Sequence, residues 1–238
     1  MESNFKNLIN YTINLSEFKA LARVKDLCCI SLYLPFNNIK NDGIKLINKH
    51  INHSIPKITA YLKQNQLTGN DIRDHVKNIL SVFNDLKNCN FKGKSLAIFI
   101  KKGQVNCYFT SKQIQFTCYI HNHFYLKPIS NLFNKIENIN PTQIIQKFPA
   151  EKIKTDIQKI IELSVSGKIT NLFINKEMDV YGEVDFENMF VIPVKENQKG
   201  SSLSNIAAIH TILNQGNVFL INPSEIQKTT TPIIGIQA

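Results

Sequence analysis

The stretch from Asn131 to Pro149 constrains this chain most. It is polar, rich in asparagine and carries prolines at 141 and 149, a composition that interrupts helix and strand alike. The hydrophobic patterns on its two sides start independently. The sequence therefore predicts two small domains, residues 1–130 and 150–238, joined by a linker over 131–149. With 238 residues, 43% of them hydrophobic, the chain is long enough for both to hold a core.

The first half reads as one mixed sheet on a helical pair. Ser16 caps a short helix reaching Lys25, with Phe18, Leu21 and Ala22 at helical spacing. Leu27–Leu34 is an apolar strand stopped by Pro35. Ile44, Ile47, Ile51, Ile55, Ile58 and Leu62 form one stripe of a helix that Pro56 kinks or splits in two, with Ser54 able to cap the second piece. Thr68 caps the next helix, whose apolar face runs Ile72, Val76, Ile79, Leu80, Phe83, Leu86, and Asn88–Gly93 breaks it. Strands over Lys94–Lys101, Gln104–Thr110 and Gln113–His121 follow through tight connections, as a β-meander.

The second half alternates helix and strand. A helix built on Ile153, Ile157, Ile160, Ile161 and Leu163 ends at Gly167, and a strand covers Ile169–Ile174. A loop containing Tyr181–Gly182 leads to a strand over Met189–Val194. The helix Leu203–Leu213 stops at Gly216, and Asn217–Ile221 and Pro232–Ile236 close a small α/β sandwich. The fold class is thus α/β, of the α+β kind, in two parts.

Charge divides at the same place. Residues 1–130 hold 18 Lys/Arg against 7 Asp/Glu, whereas residues 131–238 hold 10 against 11, within a net charge of +10. A field of one sign concentrates polyanions at the half that makes it. Lys40, Lys45, Lys49, Lys57, Arg73, Lys77, Lys101 and Lys102 are the candidate RNA-binding residues, able to line one surface if the exposed helix faces and the hairpin tip point the same way. Abundant lysine alone would produce solvated faces instead. No RNP-type aromatic motif and no recognition-helix signature is present, so no DNA sequence specificity is expected.

Spacing argues against other chemistries. Gly93-Lys94-Ser95 ends like a P-loop, but Asn88 stands where the first glycine belongs and a strand follows instead of a helix. His50 with His53, and His121 with His123, could each offer two imidazoles, yet neither pair has a neighbouring Cys or carboxylate cluster to complete a coordination sphere. No metal and no cofactor are expected. His75 and His210, single residues on amphipathic helices, are expected at the periphery. Glu183, Asp185 and Glu187 crowd one acidic loop, a solvated turn or, on an enzymatic reading, a site. Five cysteines, with Cys28 and Cys29 adjacent on an apolar run, read as reduced core thiols. No apolar run approaches the roughly 20 residues of a membrane span, and Met1–Leu21 does not read as a secretory signal. No membrane association and a cytoplasmic location are the expectation.

Several segments in order resemble one family. Cys29-Ile30-Ser31-Leu32-Tyr33-Leu34-Pro35, the helix opening Ile44-Lys45-Leu46-Ile47-Asn48, Ser95-Leu96-Ala97-Ile98-Phe99-Ile100 and His123-Phe124-Tyr125-Leu126-Lys127-Pro128-Ile129 resemble the amino-terminal domain of bacterial relatives of the archaeo-eukaryotic class-one peptide release factor. Gly167-Lys168-Ile169-Thr170-Asn171-Leu172-Phe173-Ile174, Tyr181-Gly182-Glu183-Val184-Asp185, the helix Leu203–Leu213 with Asn214-Gln215-Gly216-Asn217-Val218-Phe219, and Pro232-Ile233-Ile234 look like that family's carboxy-terminal, L7Ae-like sandwich. The family's middle domain, which carries the hydrolytic Gly-Gly-Gln loop in true release factors, has no room within 131–149, and no two of the nine glycines are adjacent. Hydrolytic activity is therefore not inherited. Asn38-Ile39-Lys40-Asn41 superficially matches the Asn-Ile-Lys-Ser decoding motif but falls before the first helix of the pair, and the family's terminal Arg is absent.

The resemblance implies a noncatalytic ribosome-associated translation factor, with the basic domain held on rRNA phosphates in the decoding region and residues 150–238 facing protein or the large subunit. A hibernation or stalled-ribosome role would then need binding alone. Two alternatives stand beside it: an RNA-processing enzyme with a site near Tyr181–Glu187, and a protein-protein interaction module with an acidic partner.

Overall fold

A computed structural model describes residues 9–10, 12–36, 40–86, 93–135, 140–194, 200–222, 225 and 231–238. The chain divides into two compact units, Met1–Tyr125 and Leu126–Ala238, both mixed α/β. The division falls at Tyr125–Leu126, ahead of the 131–149 segment.

In the first unit a five-stranded sheet has the order β1 (Ile9–Asn10), β4 (Gln104–Thr110), β3 (Ser95–Lys101), β2 (Cys29–Pro35), β5 (Thr117–His121). Only β1 on β4 is parallel. Strand β2 lies in the interior of the sheet and is buried on both faces, hence its unbroken apolar run. The sheet is not a simple meander. β3 and β4 form a hairpin, but β5 crosses to pair with β2, while β1 pairs in parallel on the far edge of β4. The crossing segment is pinned at the start of β3, where Ile114 N donates to Ser95 Oγ over 2.7 Å.

Helices α2 (Lys40–Gln64) and α3 (Gly69–Leu86) cover one face. Ile47, Ile51, Ile58 and Leu62 of α2 and Ile79, Val82, Phe83 and Leu86 of α3 pack with Ile30, Leu32, Leu34, Leu96, Ile98, Ile100, Cys107 and Phe109. Pro56 does not divide α2. It lies on the exposed side of one continuous helix, and Ser54 hydrogen-bonds back to His50 O (2.9 Å) instead of capping a new helix. Thr68 caps α3 as expected, receiving Asp71 N at 3.2 Å. On the sheet's other face Tyr33, Phe99 and Phe124 pack edge to face, and Tyr33 Oη donates to Tyr125 O at 2.5 Å. The helix α1 (Leu15–Ala22) is capped by Asn14, not Ser16. Asn14 and Glu17 form a reciprocal capping box that displaces Ser16 into the first turn.

The second unit begins with a 3₁₀ turn, Lys127–Phe133, and the short helix α4 (Pro141–Ile145). Ile144, Ile145 and Phe148 pack on Phe173, Ile221, Ile234 and Ile236, so the described part of the polar segment contributes to this unit's core. Its main sheet has the order β11 (Asn217–Ile221), β7 (Ile169–Asn175), β12 (Ile233–Gln237), β6 (Ile153–Lys154). Helices α5 (Ile157–Val165) and α6 (Leu203–Leu213) pack against each other and against this sheet. A second sheet joins β10 (Ser201–Ser202), β8 (Tyr181–Asp185) and β9 (Phe190–Val194). The expected loop at Tyr181–Gly182 is therefore a strand.

Buried polar groups fix where the second unit starts. Asn205 Oδ1 accepts Leu126 N (2.7 Å) and Lys127 N (2.8 Å). Lys127 Nζ reaches Asp179 Oδ2 and Met178 O, each at 3.1 Å, and Ser202, the cap of α6, donates to Asp179.

Candidate nucleic-acid interface

The basic residues fall into two groups once the helices are docked. Because the buried stripes of α2 and α3 face the sheet, the opposite stripes face outward. Lys45, Lys49 and Lys57 on α2 and Arg73 and Lys77 on α3 are all exposed on those outward sides. At 3.6 residues per turn, Lys45 and Lys49 lie within about 40° of each other around the helix. Lys63 belongs with them. It is exposed and stands about five whole turns beyond Lys45, on the same line. That spacing from Lys45 is present in the sequence. Asp74 is the exposed acid among them.

The remaining sequence candidates do not join this surface on equal terms. Lys102, at the β3–β4 turn, is paired with Asp71 of α3 at 2.9 Å. The Thr68 hydroxyl and then Lys102 hold the Asp71 carboxyl below its ordinary range, and the same pair pushes Lys102 up. Lys101 ends β3 and is partly buried. Lys40 begins α2, but its side chain lies outside the described residues, as do Asn38 and Ile39.

Aromatic rings border the basic face beside β5. His50 stacks on Phe116 with centroids 4.1 Å apart and planes 14° from parallel, and His53 meets the same ring edge-on at 6.3 Å. His53 and Lys57 are exposed on this flank of α2. Partial burial, then Lys49 and His53, pulls the His50 pKa down.

The other histidines serve structure. His121 Nδ1 and His123 Nδ1 both donate to Asn122 Oδ1, at 2.6 and 2.7 Å. Burial, then His121 and Lys25, brings His123 to about 4. His75 is not peripheral: it is 2% exposed, its Nδ1 bonded to Asp71 O at 2.8 Å within α3. Among the described residues no group of three His, Cys, Asp or Glu could hold a metal ion. Gly93-Lys94-Ser95 makes a turn in which Gly93 takes φ +115° and Lys94 N donates to Thr110 O (2.8 Å). Strand β3 follows, so no helix N-terminus is aimed at a phosphate there.

The acidic segment is a hairpin. Asp185 accepts Glu187 N, Asn188 N and Asn188 Nδ2 at 2.8–3.1 Å, bonds led by the Asn188 side chain that keep its carboxyl low and close the β8–β9 turn. Glu183 and Asp185 stand exposed on one face of β8. No helix among the described residues is long and apolar enough to cross a membrane.

No family model matches the chain, and no curated protein does. Among solved structures it is similar, distantly, to an archaeal protein (10% identity, TM-score 0.33, covering 96% of this chain and 99% of that one). It is also similar to the archaeal translation termination factor aRF1 (11% identity, TM-score 0.34, covering 97% and 99%). Likeness this faint carries no functional argument, which rests on the residues themselves.

Proposed function

We propose that this chain is a noncatalytic, RNA-binding translation factor that attaches to the ribosome through the outward face of α2 and α3. The observation that carries the reading is the row of exposed cations, Lys45, Lys49, Lys57, Lys63, Arg73 and Lys77, on two helices whose other sides are fixed in the core. Their spacing is set by the helices, so the charge is presented as a surface that can match a phosphate backbone. The motif order that resembles the release-factor relatives supplies the translational setting, and the missing middle domain removes the hydrolytic step. Occupying the decoding region of an idle or stalled ribosome then requires binding alone, a hibernation-like role.

Sucrose-gradient sedimentation of the tagged protein with ribosomes tests this. It co-migrates at low salt, is released as salt rises, and leaves the ribosomal fractions when Lys45, Lys49 and Lys63 are changed to Gln. With purified rRNA the log–log salt slope falls by roughly 2–3 for those three charges, and affinity near 0.1 M salt by about 100-fold. Absence of the unmodified protein from every ribosomal fraction at low salt refutes the reading. A bound partner that survives RNase treatment would place the face on an acidic protein instead.

A further inference from the structure

Directly opposite residues of an antiparallel pair lie on the same side of the sheet. In the β8–β9 hairpin, Val184 faces Val191 on the side turned to α6: Val191 is 3% exposed, and a Cβ added at Gly182 would sit 2.9 Å from Leu203. The outer side pairs Glu183 with Ile192 and Asp185 with Phe190. Ile192 is 51% and Phe190 52% exposed, and both carboxylates are exposed. The hairpin therefore shows a column of acids beside a column of bulky apolar side chains. Between Lys176 and Lys195 the sequence has five Asp/Glu and no Lys or Arg.

An outward sheet face is ordinarily polar in both columns, and clustered exposed apolar side chains mark contact surfaces. The carboxylates repel phosphate, so nucleic acid and anionic lipid are poor occupants. They favour cations set beside apolar groups. Strand β9 is the edge of its sheet among the described residues. An extended segment laid along it repeats same-side residues about every 6.5–7 Å, the same rise that separates Glu183 from Asp185 and Phe190 from Ile192.

We infer that the outer face of the β8–β9 hairpin docks a cationic, extended protein segment on one side of which Lys or Arg takes turns with bulky apolar residues, the residues between them facing away. The cations meet Glu183 and Asp185, and the apolar side chains cover Phe190 and Ile192. This surface belongs to the second unit and the basic helices to the first, and its docking does not depend on RNA binding.

The test uses the full chain and three synthetic peptides with Ser at every second position and Lys/Val, Lys/Ser or Glu/Val in turn at the others (the Lys–Val, Lys–Ser and Glu–Val peptides), in fluorescence-anisotropy titrations. The Lys–Val peptide binds and the other two do not. Phe190→Ser with Ile192→Ser weakens it by roughly tenfold or more, and Glu183→Gln weakens it while flattening its salt dependence. Asp185 is left intact because it closes the turn. Unchanged melting temperature and unchanged rRNA binding show that both variants remain folded. Equal binding of Lys–Ser, or affinity unaffected by both variants, overturns the proposal. Self-association in sedimentation velocity that Phe190→Ser abolishes would assign the face to a second copy and overturn it as well.

Discussion

Replacing Lys127 by Met probes what holds the start of the second unit. The Lys127 and Asp179 side chains are 5% and 10% exposed, with Nζ and Oδ2 3.1 Å apart. Methionine keeps the apolar stem but removes the charge and its bond to Met178 O. Asp179 is then a buried carboxylate without its cation. Removing one partner of such a pair costs about 3–5 kcal/mol. Asp179 still accepts from Ser202 Oγ (2.8 and 2.9 Å) and Val180 N (2.9 Å), which places the cost near the lower end, about 3 kcal/mol. In a unit of this size that corresponds to a fall of roughly 10–15 °C in melting temperature. Differential scanning calorimetry on the full chain, following the second unit's transition, reads it. Adding Asp179→Leu to Lys127→Met removes the stranded charge and recovers most of the loss. A Lys127→Met transition within about 2 °C of the parent, or a double variant no better than the single, refutes the reasoning.

Lys102→Ala combined with Asp71→Asn, which removes a neutral pair, leaves rRNA affinity and salt slope unchanged within titration error; a loss matching that of Lys49→Gln would show that the pair opens on RNA. Burial pushes the Cys28 and Cys29 thiols up to about 12, so at pH 8 neither reacts with a disulfide reagent until denaturant is added. Their stabilising contribution is complete below the unfolded thiol value, about 8.5, and is lost as pH rises from there toward 12, read as a falling urea midpoint. His123 has the opposite sign. Lowered to about 4, its contribution is present above the unfolded value of about 6.5 and is lost as pH falls toward 4. A ring that titrates in NMR near its ordinary value would contradict its burial.

Periodicity made the helices legible because their burial is decided locally: the Ile stripe of α2 and the face ending in Phe83 and Leu86 of α3 are where the spacing puts them. Topology was not local. Nothing in Gln113–His121 reveals that the outer edge of β4 pairs with Ile9–Asn10 and that β5 pairs with β2 on the other side. Tyr181–Asp185 read as a loop because its outward positions are acidic and its partner strand is exposed, so it lacked the apolar alternation of a half-buried strand. In the candidate interface, exposure of Lys45, Lys49, Lys57, Arg73 and Lys77 followed from the stripes. The neutralisation of Lys102 did not, since its partner comes from a different element.

The crossing of β5 has a consequence for synthesis. Cys29 pairs with His121, and β2 also awaits β3, so an emerging chain exposes α2, α3 and their isoleucine stripe well before the sheet that covers them can close. Such pairing between residues far apart in sequence is slow to form. During translation the first unit therefore passes through a stage of helices without a sheet, open to chaperones. It ends when β3 and β4 have emerged to join β2 beneath the helices, and β5 completes the sheet last.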